Sequence, residues 1–187
     1  GIKDILLITN PEDKESFEKL LGDGSQFGCK FSYEVQDKPN GLAEAFIIGE
    51  NFIKKDNVCL ILGDNLIYGS GLGTILRSQL NSDGASIFAI EVEEPSNYGV
   101  VEFDSKGNIL SIEEKPINPK SKLAIPGIYY YDNSVIKYAK MVKSDTLTDA
   151  IQLLGLEKVR DVALASSFMG NLLDPYSKGF NWEAFWK

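Results

Sequence analysis

The chain has 187 residues, 43% of them hydrophobic and 25% charged, which suits one sizeable globular core and leaves too little for two full domains. Its net charge of −8 opposes nucleic acid and anionic membranes as partners, so phosphate chemistry here needs a local cation or a metal ion. Histidine is absent, which excludes histidine-based triads, Cys-His pairs and HExxH zinc sites, and two cysteines are too few for a disulfide framework.

Ile5 to Thr9 is short, continuously apolar and bounded by polar residues, the pattern of a fully buried strand. Asn10 then suits a helix cap and Pro11 a first helical position, and Phe17, Leu20 and Leu21 give that helix an apolar face that Gly22 can end. Phe31, Tyr33 and Val35 alternate with polar residues, as in a half-buried strand. A helix is expected from Gly41 to Ile53, and Val58 to Leu62 is the next buried strand. This β-α-β-α-β order predicts an α/β fold, a mainly parallel (mixed) Rossmann-like sheet flanked by helices.

A third helix around Leu72 to Leu80 leads to a strand over Ala85 to Val92. Gly99 to Asp104 and Ile109 to Glu113 read as a hairpin about a Lys106-Gly107-Asn108 turn. Ala124 to Tyr131 is one β-rich segment, and Asn133 to Val142 is helical. From Ser144 the texture changes. Helical patterning continues through Ile151 to Leu154 and Val162 to Phe168, and Trp182, Phe185 and Trp186 supply an apolar ending. The expected division is an α/β core over 1–143 and a helical C-terminal segment over 144–187. No apolar run approaches the roughly 20 residues a bilayer span needs, and free thiols at Cys29 and Cys59 fit a cytoplasmic protein.

In open α/β sheets ligands gather beyond the carboxyl ends of the strands, and three loops qualify. In Gln36 to Gly41 the glycine lets backbone approach a ligand and a helix start offers free N–H groups, although a Pro-Asn-Gly turn is also common punctuation. Gly63-Asp64-Asn65 follows a buried strand, where a carboxylate can hold Mg²⁺ or merely cap a turn. In Glu113-Glu114-Lys115-Pro116, adjacent side chains leave the sheet on opposite faces, so the lysine can serve as the local positive spot or simply sit on a solvated face.

The series Gln36-x-x-Pro39-x-Gly41-Leu42-Ala43, Leu62-Gly63-Asp64-Asn65, Tyr98 to Phe103, Glu113 to Pro116 and Gly127-Ile128-Tyr129-x-Tyr131-Asp132 resembles the bacterial sugar-1-phosphate nucleotidylyltransferases in order and spacing, from Gly1 to about Lys143. The resemblance implies a Mg²⁺-dependent, in-line reaction of dTTP with glucose 1-phosphate that gives dTDP-glucose and pyrophosphate, in a homo-oligomer. It implies that Gln36 reads the base edge with Gly41 beside it, and that Asp64 binds the catalytic metal. Tyr98, Gly99 and Glu114 would hold the sugar, Lys115 its phosphate, and Ile125, Gly127 and Tyr129 would close the sugar and ribose side. Glu44 stands where the family usually has glutamine and Pro126 where it usually has threonine, and neither is expected to touch a chemically assigned group.

The family's opening strand and glycine-rich triphosphate loop have no counterpart in the 187 residues, so the chain is expected to start at the fold's second strand, leaving its neighbour's edge uncovered and favouring self-association. Residues 144–187 are expected to depart from the family altogether. The alternatives are a non-catalytic member that binds sugar nucleotides or acts as a scaffold, and a sibling enzyme using UTP or CTP.

Overall fold

The computed structural model describes residues 1–68, 71–80 and 83–141, together with the backbone of 159–164 and 183–186. Among the described residues, the strands are β1 (Asp4–Thr9), β2 (Lys30–Val35), β3 (Val58–Leu62), β4 (Ala85–Glu91), β5 (Gly99–Phe103), β6 (Ile109–Glu114), β7 (Leu123–Ile125), β8 (Ile128–Tyr131), β9 (Val159–Leu164) and β10 (Glu183–Trp186). The helices are α1 (Lys14–Leu21), α2 (Leu42–Ile48), α3 (Glu50–Ile53), α4 (Leu72–Ser78) and α5 (Val135–Met141).

The strands form one mixed sheet in the order β2-β1-β10-β3-β8-β4-β7-β5-β6, with β9 on β4. β2 pairs parallel with β1 and β9 with β4, whereas β8 and β10 run antiparallel between parallel-running neighbours. Alternation puts successive side chains on opposite faces. On one face Leu60, Ile87 and Tyr131 meet Phe46 of α2 and Val135 and Ile136 of α5, with the Phe46 and Tyr131 rings edge to face at 5.3 Å. On the other, Cys59, Phe88 and Tyr130 pack beneath Ile75 and Leu76 of α4. The arrangement is therefore helix, sheet, helix, as the alternating pattern implies.

Several elements differ from the sequence reading. α1 starts at Lys14 rather than at Pro11, although the Asn10 side-chain oxygen does accept the Asp13 N–H at 2.9 Å, the contact expected of a cap. Its apolar face is not deeply covered, and Leu20 is exposed. The helix expected over 41–53 is broken at Gly49 into α2 and α3, and a Cβ at Gly49 would stand 3.1 Å from the Ala45 carbonyl. The single segment over 124–131 is two strands, interrupted at Pro126-Gly127.

The C-terminal segment is not uniformly helical. Val162 to Leu164 belong to β9, and Phe185 and Trp186 to β10, while residues 151–154 and 165–168 lie outside the described residues. β10 lies between β1 and β3, so β1 is paired on both sides and the uncovered edge expected beside it is filled. No helix among the described residues is long and apolar enough to cross a membrane.

Candidate active site

The break at Pro126-Gly127 organises the site. β7 and β8 are both antiparallel partners of β4, but β7 also pairs with β5 whereas β8 pairs with β3. At Pro126-Gly127 the chain therefore passes from the neighbour of β5 to the neighbour of β3. The carboxyl end of β3 and the start of β5 flank that passage.

On the β3 side, Gly127 is seated tightly. Its carbonyl accepts the Leu62 N–H at 2.8 Å and its N–H donates to Asn65 Oδ1 at 3.0 Å. A Cβ there would lie 2.7 Å from both Asn65 Nδ2 and Leu62 Cβ, so this close approach admits only glycine. Asn65 Nδ2 also donates to Asp64 Oδ1 at 2.6 Å, which orients the exposed Asp64 carboxylate and leaves its other oxygen for a ligand. Asn65 belongs to the Gly63-Asp64-Asn65 loop marked in the sequence, where it is given no role of its own. Its adjacency to Asp64 was the available signal, but its partner Gly127 lies 62 positions away.

On the β5 side, Gly99 stands opposite Glu114 on β6 and Ile125 on β7. A Cβ on Gly99 would meet Glu114 Oε2 at 3.2 Å and Ile125 Cβ at 3.8 Å, so the absent side chain opens the space between them. Lys115 N–H donates to the Tyr98 carbonyl at 2.9 Å, holding that exposed lysine in a left-handed conformation at φ 44°. Tyr98 and Lys115 line an open cavity of about 620 Å³ with Val92, Glu93, Glu94 and Asn97. Tyr129 links the two sides. Burial, then the charges of Glu114 and Asp64, push its phenol well above the ordinary range, so it stays a neutral hydroxyl beside both carboxylates.

Gln36, at the end of β2, is buried, and its Nε2 donates to Glu44 Oε2 at 2.8 Å and to the Gly41 carbonyl at 3.2 Å. Glu44 thus touches a residue assigned to base reading, contrary to the sequence expectation; α2 carries it one turn past Gly41, back over Gln36. Gly41 has φ 90°, a conformation that favours glycine. Gln36 and Gly41 are brought together directly, and so are Asp64 with Gly127 through Asn65, and Gly99 with Glu114 and Ile125.

The donor set fits a hard cation only in part. Among the described residues no cluster of three acids or cysteines could cage a metal. Asp64 alone matches the Mg²⁺ habit of binding through one or two carboxylates together with substrate phosphates.

A mixed α/β sheet with a carboxylate, a cation and tight backbone approaches at its strand ends has the ground plan of proteins that handle nucleotides and sugar phosphates. The chain belongs to the nucleotidyl transferase family, whose profile matches residues 1–184. It is 46% identical over 184 residues to the glucose-1-phosphate thymidylyltransferase of Neisseria meningitidis, covering 97% of this chain and 62% of that protein. It is 54% identical over 143 residues to the enzyme of that name from Mycobacterium tuberculosis, covering 76% and 50%. The chain thus spans about half to three fifths of the length of these curated relatives. A Bacillus anthracis protein assigned as a glucose-1-phosphate thymidylyltransferase, solved with sucrose, superimposes with a TM-score of 0.76 at 30% identity, over 95% of this chain and 68% of that one. The family match through residue 184 corrects the expectation that likeness ends near residue 143.

Proposed function

We propose that the chain carries the base-reading and sugar-holding parts of a glucose-1-phosphate thymidylyltransferase, which joins a thymidylyl group to glucose 1-phosphate. The observation that carries this reading is the seating of Gly127 between Asn65 and Leu62, which sets the Asp64 carboxylate on one side of a strand break and the Tyr98–Lys115 wall on the other. The relatives of that name at 46% and 54% identity support it.

In the reaction a phosphate oxygen of glucose 1-phosphate attacks the α-phosphorus of dTTP. The new O–P bond forms as the bond to the β-phosphate oxygen breaks, and pyrophosphate leaves with that electron pair. No covalent enzyme intermediate is required, in keeping with a chain that lacks histidine. Catalysis rests on positioning and charge neutralisation. Lys115 offers a cation to the sugar phosphate. Glu114 and Tyr129 offer an acceptor and a neutral hydroxyl to the sugar, with Gly99 and Ile125 shaping the space. Gln36 and Gly41 meet the base. Asp64 would hold Mg²⁺ jointly with the phosphates, where the ion supplies charge neutralisation.

The residues named above meet a base and a sugar, so the sugar-nucleotide product is the ligand that engages most of them. Isothermal calorimetry with dTDP-glucose and with glucose 1-phosphate tests the reading. Measurable binding of either, lost in Glu114→Ala, supports it; heat changes indistinguishable from buffer for both would end it. A second reading is a sugar-nucleotide-binding protein without turnover, in keeping with the lack of a cluster of three metal-ligating side chains among the described residues. Pyrophosphate release from dTTP and glucose 1-phosphate by this chain separates the two.

A further inference from the structure

We infer that Glu44 is a positioning residue that fixes the polarity with which Gln36 reads a base, leaving the Gln36 carbonyl as the only group of that amide free to face a ligand. The inference deepens the proposed nucleotide site and rests on it.

A primary amide has two N–H donors and one carbonyl acceptor, and which end faces a ligand decides what it recognises. In Gln36 both donors are taken within the protein, one by Glu44 Oε2 at 2.8 Å and one by the Gly41 carbonyl at 3.2 Å. Both partners are oxygens that only accept. Rotating the amide by half a turn would bring Gln36 Oε1 against two oxygens in a buried place, exchanging two hydrogen bonds for two repulsions. The orientation is therefore set by chemistry rather than by chance.

Glu44 is itself held. Its Oε1 accepts from Asn40 Nδ2 at 3.0 Å while its Oε2 serves Gln36, so both oxygens of one carboxylate are used by two side-chain amides. The run Asn40–Glu44–Gln36–Gly41 closes on the same loop. Gln36 Oε1 has no protein partner among the described residues.

A glutamine in this state cannot donate to a base. It accepts, so it matches a base whose ring nitrogen carries hydrogen, such as N3–H of thymine or uracil. Cytosine presents a bare lone pair at that nitrogen. A base methylated on N3 presents neither hydrogen nor room. Selection of this kind, in which a mismatched partner leaves a buried polar group unpaired, is worth about tenfold or more.

The test measures affinity of the 187-residue chain by calorimetry for dTDP, dCDP and the N3-methyl analogue of dTDP, in the parent and in Glu44→Leu and Glu44→Gln. The parent is expected to prefer dTDP by about tenfold over both others. Glu44→Leu removes the shorter of the two acceptor contacts, leaves only the Gly41 carbonyl at 3.2 Å to hold the amide, and is expected to shrink the preference over dCDP to about threefold or less, whereas a merely structural role would weaken both nucleotides alike. Glu44→Gln retains one acceptor oxygen and is expected to keep the preference. An unchanged dTDP-to-dCDP ratio in a folded Glu44→Leu would overturn the inference. So would full affinity of the parent for the N3-methyl analogue, a result that needs no variant to fold. If none of the nucleotides binds, the proposed nucleotide site falls together with the inference; if they bind without discrimination, only the inference falls.

Discussion

Asn65 and Gly127, far apart in sequence, are joined by a 3.0 Å hydrogen bond from the glycine N–H to the asparagine side-chain oxygen, with no room between them for a methyl group. Gly127→Ala would drive a Cβ to 2.7 Å from Leu62 Cβ, an atom that moves only with its backbone. The expected cost is about 1–3 kcal/mol in urea unfolding, typical of overpacking, with loss of dTDP-glucose binding. An alanine variant with parental stability and affinity would show that the seat is looser than described.

Asp64→Asn keeps the shape of the side chain and removes its charge. Binding of dTDP-glucose to the parent is expected to tighten with added Mg²⁺, and binding to the variant to be indifferent to it. Titration of Mg²⁺ at fixed ligand reads this directly, and equal responses would reduce Asp64 to a turn residue.

Lys115 separates stability from binding. It is held at φ 44°, where a side chain costs about 1–2 kcal/mol relative to glycine. Lys115→Gly should therefore hold or raise stability by up to about 1 kcal/mol while weakening glucose 1-phosphate binding, because the cation facing the phosphate is gone. Thermal melting and calorimetry on the same sample check both signs. A variant that binds glucose 1-phosphate as the parent does would remove Lys115 from the site.

Burial pushes the Cys59 thiol up to about 12, and Tyr131, buried on the opposite face of the sheet, is raised well above its ordinary value. Both are acids whose protonated form the folded state favours. Their contribution is complete below the unfolded value, which for the thiol is near 9.0, and is lost as pH rises toward the folded one. Stability should thus fall between pH 9 and 12, by about 1.4 kcal/mol per pH unit for Cys59, with the tyrosine adding to the fall above pH 10. Urea unfolding at pH 8, 9 and 10.5 tests the slope, and a curve that is flat or rising across that range would contradict it. At neutral pH, alkylation should mark half-buried Cys29 and spare Cys59 until the chain unfolds.

Continuous apolar runs such as Ile5 to Ile8 and Val58 to Leu60 were legible as buried strands, because a strand covered on both faces needs no polar alternation. The hairpin about Gly107 was legible from its turn residues, and Gly107 takes φ 84°. Harder to see was the interruption at Pro126-Gly127, since Ile125 and Ile128 on either side are both buried and Gly127 is held by an asparagine in the distant loop after β3. The role of Glu44 was hidden for a similar reason. A carboxylate beside a loop reads as solvent-facing until its two oxygens are found between Asn40 and Gln36. The strands in the C-terminal segment are set by pairing to β4, β1 and β3, which no local pattern records.

Because β4 pairs along its length first with β8 and then with β7, the wall bearing Asp64 and the wall bearing Tyr98 are fastened to one extended strand. A strand in the middle of a sheet stretches and bends little, so the spacing between the walls is a built-in gauge rather than an adjustable jaw. Ligands that differ in size at the sugar would be sorted by whether they fit the gauge, and the free and occupied forms should share the same backbone along Ala85–Glu91.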